Sequence, residues 1–216
     1  MALAERSMTY AWARVQEFAI IGSNFSLGVA VNNTIVHPSR ISAVLPTEVV
    51  DVFNHFFTAE LTTLGRRNAP ITWPVMPIFW AQRGEFVVLT SIGLPQKAFN
   101  IRRNPQVSLL FSYPMGSELV NPPAVLVQGT AAAPDEIFVS LKEADPELLE
   151  VILLQTRKMI QRQPAMALYM SSPITRYLMD WYFMRLMISI TPHTIHWWPG
   201  GDFSIPPQCL ELFDVD

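Results

Sequence analysis

The chain has 216 residues, enough for one domain with a full core or at most two small ones. Hydrophobic residues make up 50% and charged residues only 15%, well below the usual quarter. A single copy with so little charge cannot cover its surface with polar groups, so we expect a subunit interface or a ligand cleft, and favour a homodimer. A net charge of −3 gives no general attraction to nucleic acid.

The N-terminal part of the chain offers neither a membrane span nor a secretory signal. Its most apolar segment, residues 18–31, is interrupted by Ser23, Asn24 and Ser26, so it is not expected to form a transmembrane helix. The single cysteine, Cys209, rules out an intrachain disulfide and is typical of a reducing compartment. We therefore expect a cytoplasmic protein.

The chain divides by pattern into an apolar extension, residues 1–40, and a domain spanning 41–216. The domain opens with a predicted helix that begins at Pro46, with Thr47 as a candidate cap. Its apolar residues recur at helical spacing: Val49, Val50, Val52, Phe53 and Phe56. A helical insert is predicted at about 134–184, because Asp145-Pro146 and Ser172-Pro173 are typical helix starts.

Short apolar runs between turns predict seven strands, at 61–64, 71–80, 86–90, 106–113, 124–132, 185–191 and 194–198. Within the second run, Pro74 and Pro77 exclude a regular central ladder and indicate a bulge or a sheet rim. A parallel sheet would need crossover helices between most strands, and these are missing. The pattern predicts a mainly β, α+β fold, an antiparallel barrel decorated by helices.

The stretch from residue 86 to 105 predicts a strand, a turn and a helix that opens at Pro95. Two hydroxyls, those of Thr90 and Ser91, and the ammonium of Lys97 gather at this helix N-terminus. Free backbone N–H groups and the positive end of the helix dipole make such a terminus suited to a phosphate. Taken alone, this signal is weak.

Several motifs together carry a family resemblance. LTTLGRRNAPITWPVMPIFW, then TSIGLPQKAFNIRRNPQVSLLF, then AVLVQGTA resemble the pyridoxamine 5′-phosphate oxidase-like split-barrel flavoproteins in order and spacing. ITPHTIHWWPGGDF gives a looser match near the C-terminus. The resemblance implies an FMN-binding split β-barrel and a homodimer with a flavin in the cleft between subunits.

The resemblance also implies roles for particular residues. The flavin phosphate would be held by Thr90, Ser91 and Lys97. The isoalloxazine ring would be lined by Pro74, Val75, Met76 and Pro77. Trp197 or Trp198 would flank the ring from the partner subunit. The activity implied is hydride transfer through the flavin N5 to a small molecule, with no catalytic side chain assigned.

One departure from the family keeps other interpretations open. Many relatives have an arginine just before the lysine, where this chain has Pro95 and Gln96. A branch with similar motifs uses a deazaflavin coenzyme, and another handles haem. The alternatives are therefore a deazaflavin-dependent reductase of the same fold, or a non-catalytic dimeric barrel that binds a ligand or haem.

No metal site is predicted. His193 and His196 are three apart on a predicted strand, so they should point to opposite faces and not share one ion. No HExxH, CxxC or carboxylate-rich loop occurs. Either histidine is a candidate haem ligand or proton donor, although a hydrogen-bonded surface or interface histidine is the commoner use.

Overall fold

The structure, a computed structural model, describes residues 41–115, 117–135, 137, 138, 146, 149, 150, 153, 154, 156, 157, 160 and 185–212. The chain divides into two units, residues 1–35 and 36–216, and all described residues belong to the second. The predictions for residues 1–40 and for most of the 134–184 insert lie outside the described residues. Those described between 146 and 160 are helical.

The described part contains three α-helices and nine strands. The helices are α1 (Ile41–Val44), α2 (Thr47–His55) and α3 (Gln96–Arg103). The strands are β1 (Ala59–Leu64), β2 (Pro70–Val75), β3 (Ile78–Trp80), β4 (Glu85–Ser91), β5 (Gln106–Phe111), β6 (Ala124–Ala132), β7 (Ile137–Phe138), β8 (Arg185–Trp198) and β9 (Gln208–Glu211). Every strand pair is antiparallel, in the order β2-β1-β5-β6-β8-β4-β3, with β7 and β9 also on β8.

The two ends of this strand order are joined by only two residues. β2 ends at Val75 and β3 begins at Ile78, so Met76 and Pro77 link opposite edges of the sheet. Three trans peptide units span at most about 11 Å, so the sheet must curl until its edges meet. The predicted split-barrel, α+β fold is confirmed. The single strand predicted at 71–80 is wrong, because the chain leaves one edge at this link and enters the other.

The long strand β8 contains a β-bulge where it pairs with β6. Gln128 pairs with Thr194 and Gly129 with Pro192, which leaves His193 as the extra residue. The prediction of two strands separated by Pro192 is wrong, since β8 runs through the bulge without a break. Core-facing residues are even-numbered before the bulge and odd-numbered after it.

Gly129 is required where β6 passes this bulge. A Cβ atom at position 129 would lie 2.1 Å from the carbonyl oxygen of Thr191. No side chain can be accommodated at that distance from the backbone, so the close approach of β8 to β6 requires the glycine of the AVLVQGTA motif.

An aromatic cluster fills the core-facing side of the sheet. The ring of Phe53 on α2 lies 5.2 Å from Phe79, 4.8 Å from Phe86 and 5.3 Å from Phe111. These rings come from β3, β4 and β5, so α2 packs against strands from both halves of the order.

Helix α2 begins at Thr47, and its predicted Thr47 cap is wrong, because Pro46 occupies the cap position without a side-chain bond. None of the described helices is long and apolar enough to cross a membrane.

We expect Gly129→Ala to destabilise the fold by about 3 kcal/mol or more, because the new methyl group would overlap the Thr191 carbonyl. Thermal and urea unfolding followed by circular dichroism would measure the loss. Gly200→Ala is the matched control: a Cβ there meets nothing within 4 Å, and only its positive φ of 60° is strained. It should cost about 1 kcal/mol. Equal losses in the two variants would contradict this account.

Candidate phosphate site

The site is built on the turn that joins β4 to α3. β4 ends at Ser91, whose carbonyl accepts a hydrogen bond from Leu94 N–H at 2.9 Å. Pro95 is the cap residue and α3 begins at Gln96, one residue beyond the predicted opening. Pro95 therefore turns the chain into the helix and leaves the first N–H groups of α3 at its N-terminus without intrahelical partners.

The two predicted hydroxyls both lie at this turn. Thr90 is 5% exposed, and its hydroxyl donates to the carbonyl of Leu94 at 3.4 Å. The Ser91 hydroxyl oxygen accepts from Gly93 N–H at 3.3 Å, so its own hydrogen is left to donate to a ligand. Thr90 thus stabilises the turn, whereas the Ser91 hydroxyl can stabilise the turn and donate to an anion at the same time.

Lys97, the second residue of α3, is the most informative side chain of the site. It is only 8% exposed, yet among the residues that the structure describes it forms no ion pair and no hydrogen bond. Burial lowers the pKa of its ammonium below 10.5. A cation at the positive end of a helix dipole is also unfavourable. Both effects would be relieved by an anion, so the residues present fit a phosphate group.

Trp73 is a site residue that the sequence reasoning missed. The Lys97 ammonium lies 4.9 Å from the centre of its ring, a cation–π contact. The indole Nε1 of Trp73 is buried and has no hydrogen-bond partner within the described part of the chain. Trp73 pairs with Leu61 across β1 and β2, on the core-facing side. No periodicity in the sequence could have paired an edge-strand tryptophan with a lysine 24 residues later.

Helix α3 is fixed to β1 by buried polar contacts. Asn100, which is fully buried, donates from Nδ2 to the hydroxyl of Thr63 at 2.9 Å. Its Oδ1 accepts from Gln96 at 3.0 Å and from Arg103 at 3.0 Å. The side chain therefore has partners on both its amide and its carbonyl, and α3 cannot shift on β1 without breaking the Asn100–Thr63 bond.

The two arginines at the end of α3 hold neighbouring backbone. Arg102 donates to the carbonyls of Ala133 and Pro134 at 2.6 and 2.9 Å and forms an ion pair with Asp135. Arg103 donates to the carbonyl of Leu64 at 3.2 Å. Both cations lie in the last turn, where they complement the negative end of the dipole. They serve the fold, and Lys97 is the cation of α3 left for a ligand.

The four residues predicted to line a flavin ring form the end of β2 and the link to β3. Pro74 is exposed and Met76 is half-buried, whereas Val75 and Pro77 are buried. Both prolines lack an N–H, so only Val75 and Met76 can offer backbone donors here. Met76 and Pro74 are the two of this set with surface to present to a ring.

The two tryptophans at the end of β8 differ in their surroundings. Trp197 is 6% exposed and belongs to the core, with its Nε1 buried and unpartnered among described residues. Trp198 is half-buried, and its ring lies 5.0 Å from that of Phe203. Leu186 on β8 pairs with Thr90 on β4. About 35 Å of strand separates Leu186 from Trp198 within one chain. Of the two, Trp198 therefore has the more accessible ring.

The two histidines of β8 lie on the same, partly exposed side of the sheet, so the expectation of opposite faces is wrong. The bulge at His193 shifts the alternation by one residue before His196 is reached. His193 Nε2 is 3.2 Å from the hydroxyl of Thr130. Within the ranges described, no three His, Cys, Asp or Glu side chains come together in a way that could hold a metal ion.

A cleft of about 360 Å³ is lined by none of the predicted site residues, although its lining residues Ala124 and Phe203 are neighbours of Trp198. Its walls carry no charged side chain and are formed by Phe56, Ser112, Pro114, Leu119, Asn121, Pro122, Pro123, Ala124, Gly200, Gly201 and Phe203. Periodicity in the sequence could not predict this cleft, because most of its walls come from the irregular segment between β5 and β6.

Solved structures similar to this chain include three of interest. One is a Clostridium acetobutylicum protein related to general stress protein 26 of B. subtilis, of the pyridoxinephosphate oxidase family (11% identity; 77% of this chain and 93% of that chain covered; TM-score 0.48). Another is a haem-binding protein from Mycobacterium smegmatis (16%; 78% and 59%; 0.46). The third is an F420 reductase (16%; 67% and 92%; 0.43).

No family model matches the chain, and no curated protein does. The solved structures include one protein of the pyridoxinephosphate oxidase family. All three TM-scores lie below 0.5, so these structures carry no evidence of function for this chain.

The burial of Lys97 predicts a pH dependence of stability. Between the lowered pKa and 10.5, the unfolded chain binds more protons than the folded one, so stability should rise with pH across this window. In ligand-free protein, Lys97→Met should therefore be more stable than wild type at pH 7. That gap should narrow as the pH approaches 10.5.

Urea unfolding of both proteins from pH 7 to 10.5 would check this. Arg66→Met is the control, because it removes a positive charge from an exposed position. Its difference from wild type should stay constant with pH. If the difference in free energy of unfolding between Lys97→Met and wild type is equally constant with pH, burial does not destabilise the charged form of Lys97.

Proposed function

We propose that this protein is a homodimeric oxidoreductase that binds FMN and transfers hydride to or from a small molecule. The observation that carries the proposal is the largely buried side chain of Lys97, whose ammonium lacks a counter-charge in the described structure and lies at the N-terminus of α3. A phosphate monoester supplies the negative charge and the acceptor oxygens that this place lacks.

The chain's own residues have distinct tasks in this proposal. Lys97 and the Ser91 hydroxyl hold the phosphate together with the first N–H groups of α3, while Thr90 keeps the turn in shape. Pro74, Val75, Met76 and Pro77 line the ring, with contact made by the more exposed Pro74 and Met76. When bound, FMN supplies hydride transfer through its N5, and the protein supplies orientation and exclusion of water.

The partner subunit completes the site in this proposal. Trp198 is half-buried and lies at the opposite end of β8 from the pairing with Thr90, and in this proposal it flanks the flavin ring of the neighbouring subunit. The low charge content of the chain also favours a buried subunit interface. The single cysteine favours a reducing, cytoplasmic location.

A second candidate is a deazaflavin-dependent reductase, favoured by the charge of the site. Within the segment from Ser91 to Lys97 the one cation is Lys97, because Pro95 and Gln96 precede it. A phosphate monoester carries close to two negative charges, whereas the phosphodiester of a deazaflavin coenzyme carries one. Comparing the affinity of ligand-free protein for the two cofactors would decide between them, and tenfold tighter binding of the deazaflavin would favour this second candidate.

We expect Lys97→Met to lower the affinity for FMN by about 10- to 100-fold, the loss of one charge-assisted hydrogen bond. Riboflavin has the same ring without the phosphate, so its weaker affinity should not change. Flavin fluorescence titrations of wild type and variant would measure both. Arg66→Met, which removes a charge from an exposed turn, should bind FMN as wild type does. If FMN and riboflavin respond alike to Lys97→Met, Lys97 is not a phosphate ligand.

A further inference from the structure

A buried hydrogen-bond network joins α3 to strands at the far end of the sheet order. Helix α3 follows β4, near the β3 end, yet Asn100 contacts Thr63 on β1 at 2.9 Å. The Thr63 hydroxyl in turn donates to the carbonyl of Ile71 on β2 at 3.5 Å. The network thus continues from the helix that carries Lys97 to the strand that carries Trp73.

Every polar group of Asn100 takes part in this network. Its amide donates to Thr63, and its carbonyl oxygen accepts from Gln96, which directly precedes Lys97. Arg103 adds a second bond to the same oxygen and one to the Leu64 carbonyl. Both Asn100 and Thr63 are fully buried, so the loss of either partner leaves the other without water to replace it.

The network and the cation–π contact lie on the same pair of elements. Lys97 is one helical turn before Asn100, and Trp73 is two residues beyond Ile71 on β2. A shift of α3 along β1 would therefore change the separation between the Lys97 ammonium and the Trp73 ring, which is now 4.9 Å. The Asn100–Thr63 hydrogen bond, at 2.9 Å, fixes that separation because a bond of this length is directional.

We propose that Asn100 and Thr63 are positioning residues that hold Lys97 over Trp73 and so set how strongly the site binds a phosphate. The proposal rests on the proposed role of Lys97 as a phosphate ligand. Neither residue contacts the ligand itself. Their effect reaches it through the placement of the Lys97 ammonium, as the partners behind a metal ligand act through that ligand.

The test uses Thr63→Val, which removes the hydroxyl with little change of shape, and Thr63→Ser, which keeps it. Thr63→Val should lower the affinity for FMN by about tenfold and leave that for riboflavin unchanged. Thr63→Ser should restore FMN binding. In a Lys97→Met background, Thr63→Val should have no further effect on FMN, because the group that it positions is gone.

Different failures are distinguishable. If Lys97→Met alone leaves the ratio of FMN to riboflavin affinity unchanged, the proposed function fails and the positioning role fails with it. Suppose that Lys97→Met changes the ratio but Thr63→Val weakens the binding of FMN and riboflavin equally. Only the positioning role is then overturned. The same holds if Thr63→Val lowers the FMN affinity as much in the Lys97→Met background as in wild type. Thr63 would then serve general stability.

A milder variant covers the case in which Thr63→Val does not fold. Arg103 is exposed, and Arg103→Gln removes one of the two bonds to the Asn100 carbonyl oxygen from the helix itself. It should lower the FMN to riboflavin ratio by about threefold. Arg66→Gln removes an equal charge from an exposed turn and should leave the ratio unchanged. Equal ratios in the two variants would overturn the positioning role.

Discussion

The two-residue link between β2 and β3 is the constraint on which the described structure depends. Because Met76 and Pro77 join opposite ends of the strand order, the sheet has to curl until those ends approach each other. Only in a curled sheet can α3, which follows β4, contact β1 through Asn100 and β2 through Lys97. The prolines around the link have no N–H to extend the ladder, so the edges meet without pairing there.

The curled sheet gives Lys97 an environment that opposes its charge. The Lys97 side chain is largely buried at the positive end of a helix, and its ammonium contacts the face of Trp73. The Phe53 cluster and the filled strand ladder supply the stability that such a group removes. A group that destabilises the ligand-free fold and is relieved by an anion is typical of a binding site, where stability is reduced in favour of affinity.

The sequence predicted much of this fold because its signals are local. Alternating apolar runs located most strands, and Pro95 located the start of α3 within one residue. The breaks at Pro74 and Pro77 indicated a rim, although not that the chain crosses from one sheet edge to the other. The continuity of β8 was missed because Pro192 interrupts a strand by its chemistry, whereas the bulge at His193 lets the ladder continue. The curl of the sheet brings Trp73 and Thr63 close to α3, and no local sequence pattern predicts such a long-range contact. The candidate site was predicted only where its residues are close in sequence.

The most direct test of the central claim is the pKa of the Lys97 ammonium itself, measured by NMR of the lysine side-chain carbons. The sequence has three lysines, Lys97, Lys142 and Lys158, so its signal can be assigned as the one missing from Lys97→Met. The account predicts a pKa below 10.5 in ligand-free protein and a rise when FMN binds, with no rise for riboflavin. An ordinary pKa that FMN leaves unchanged would contradict it.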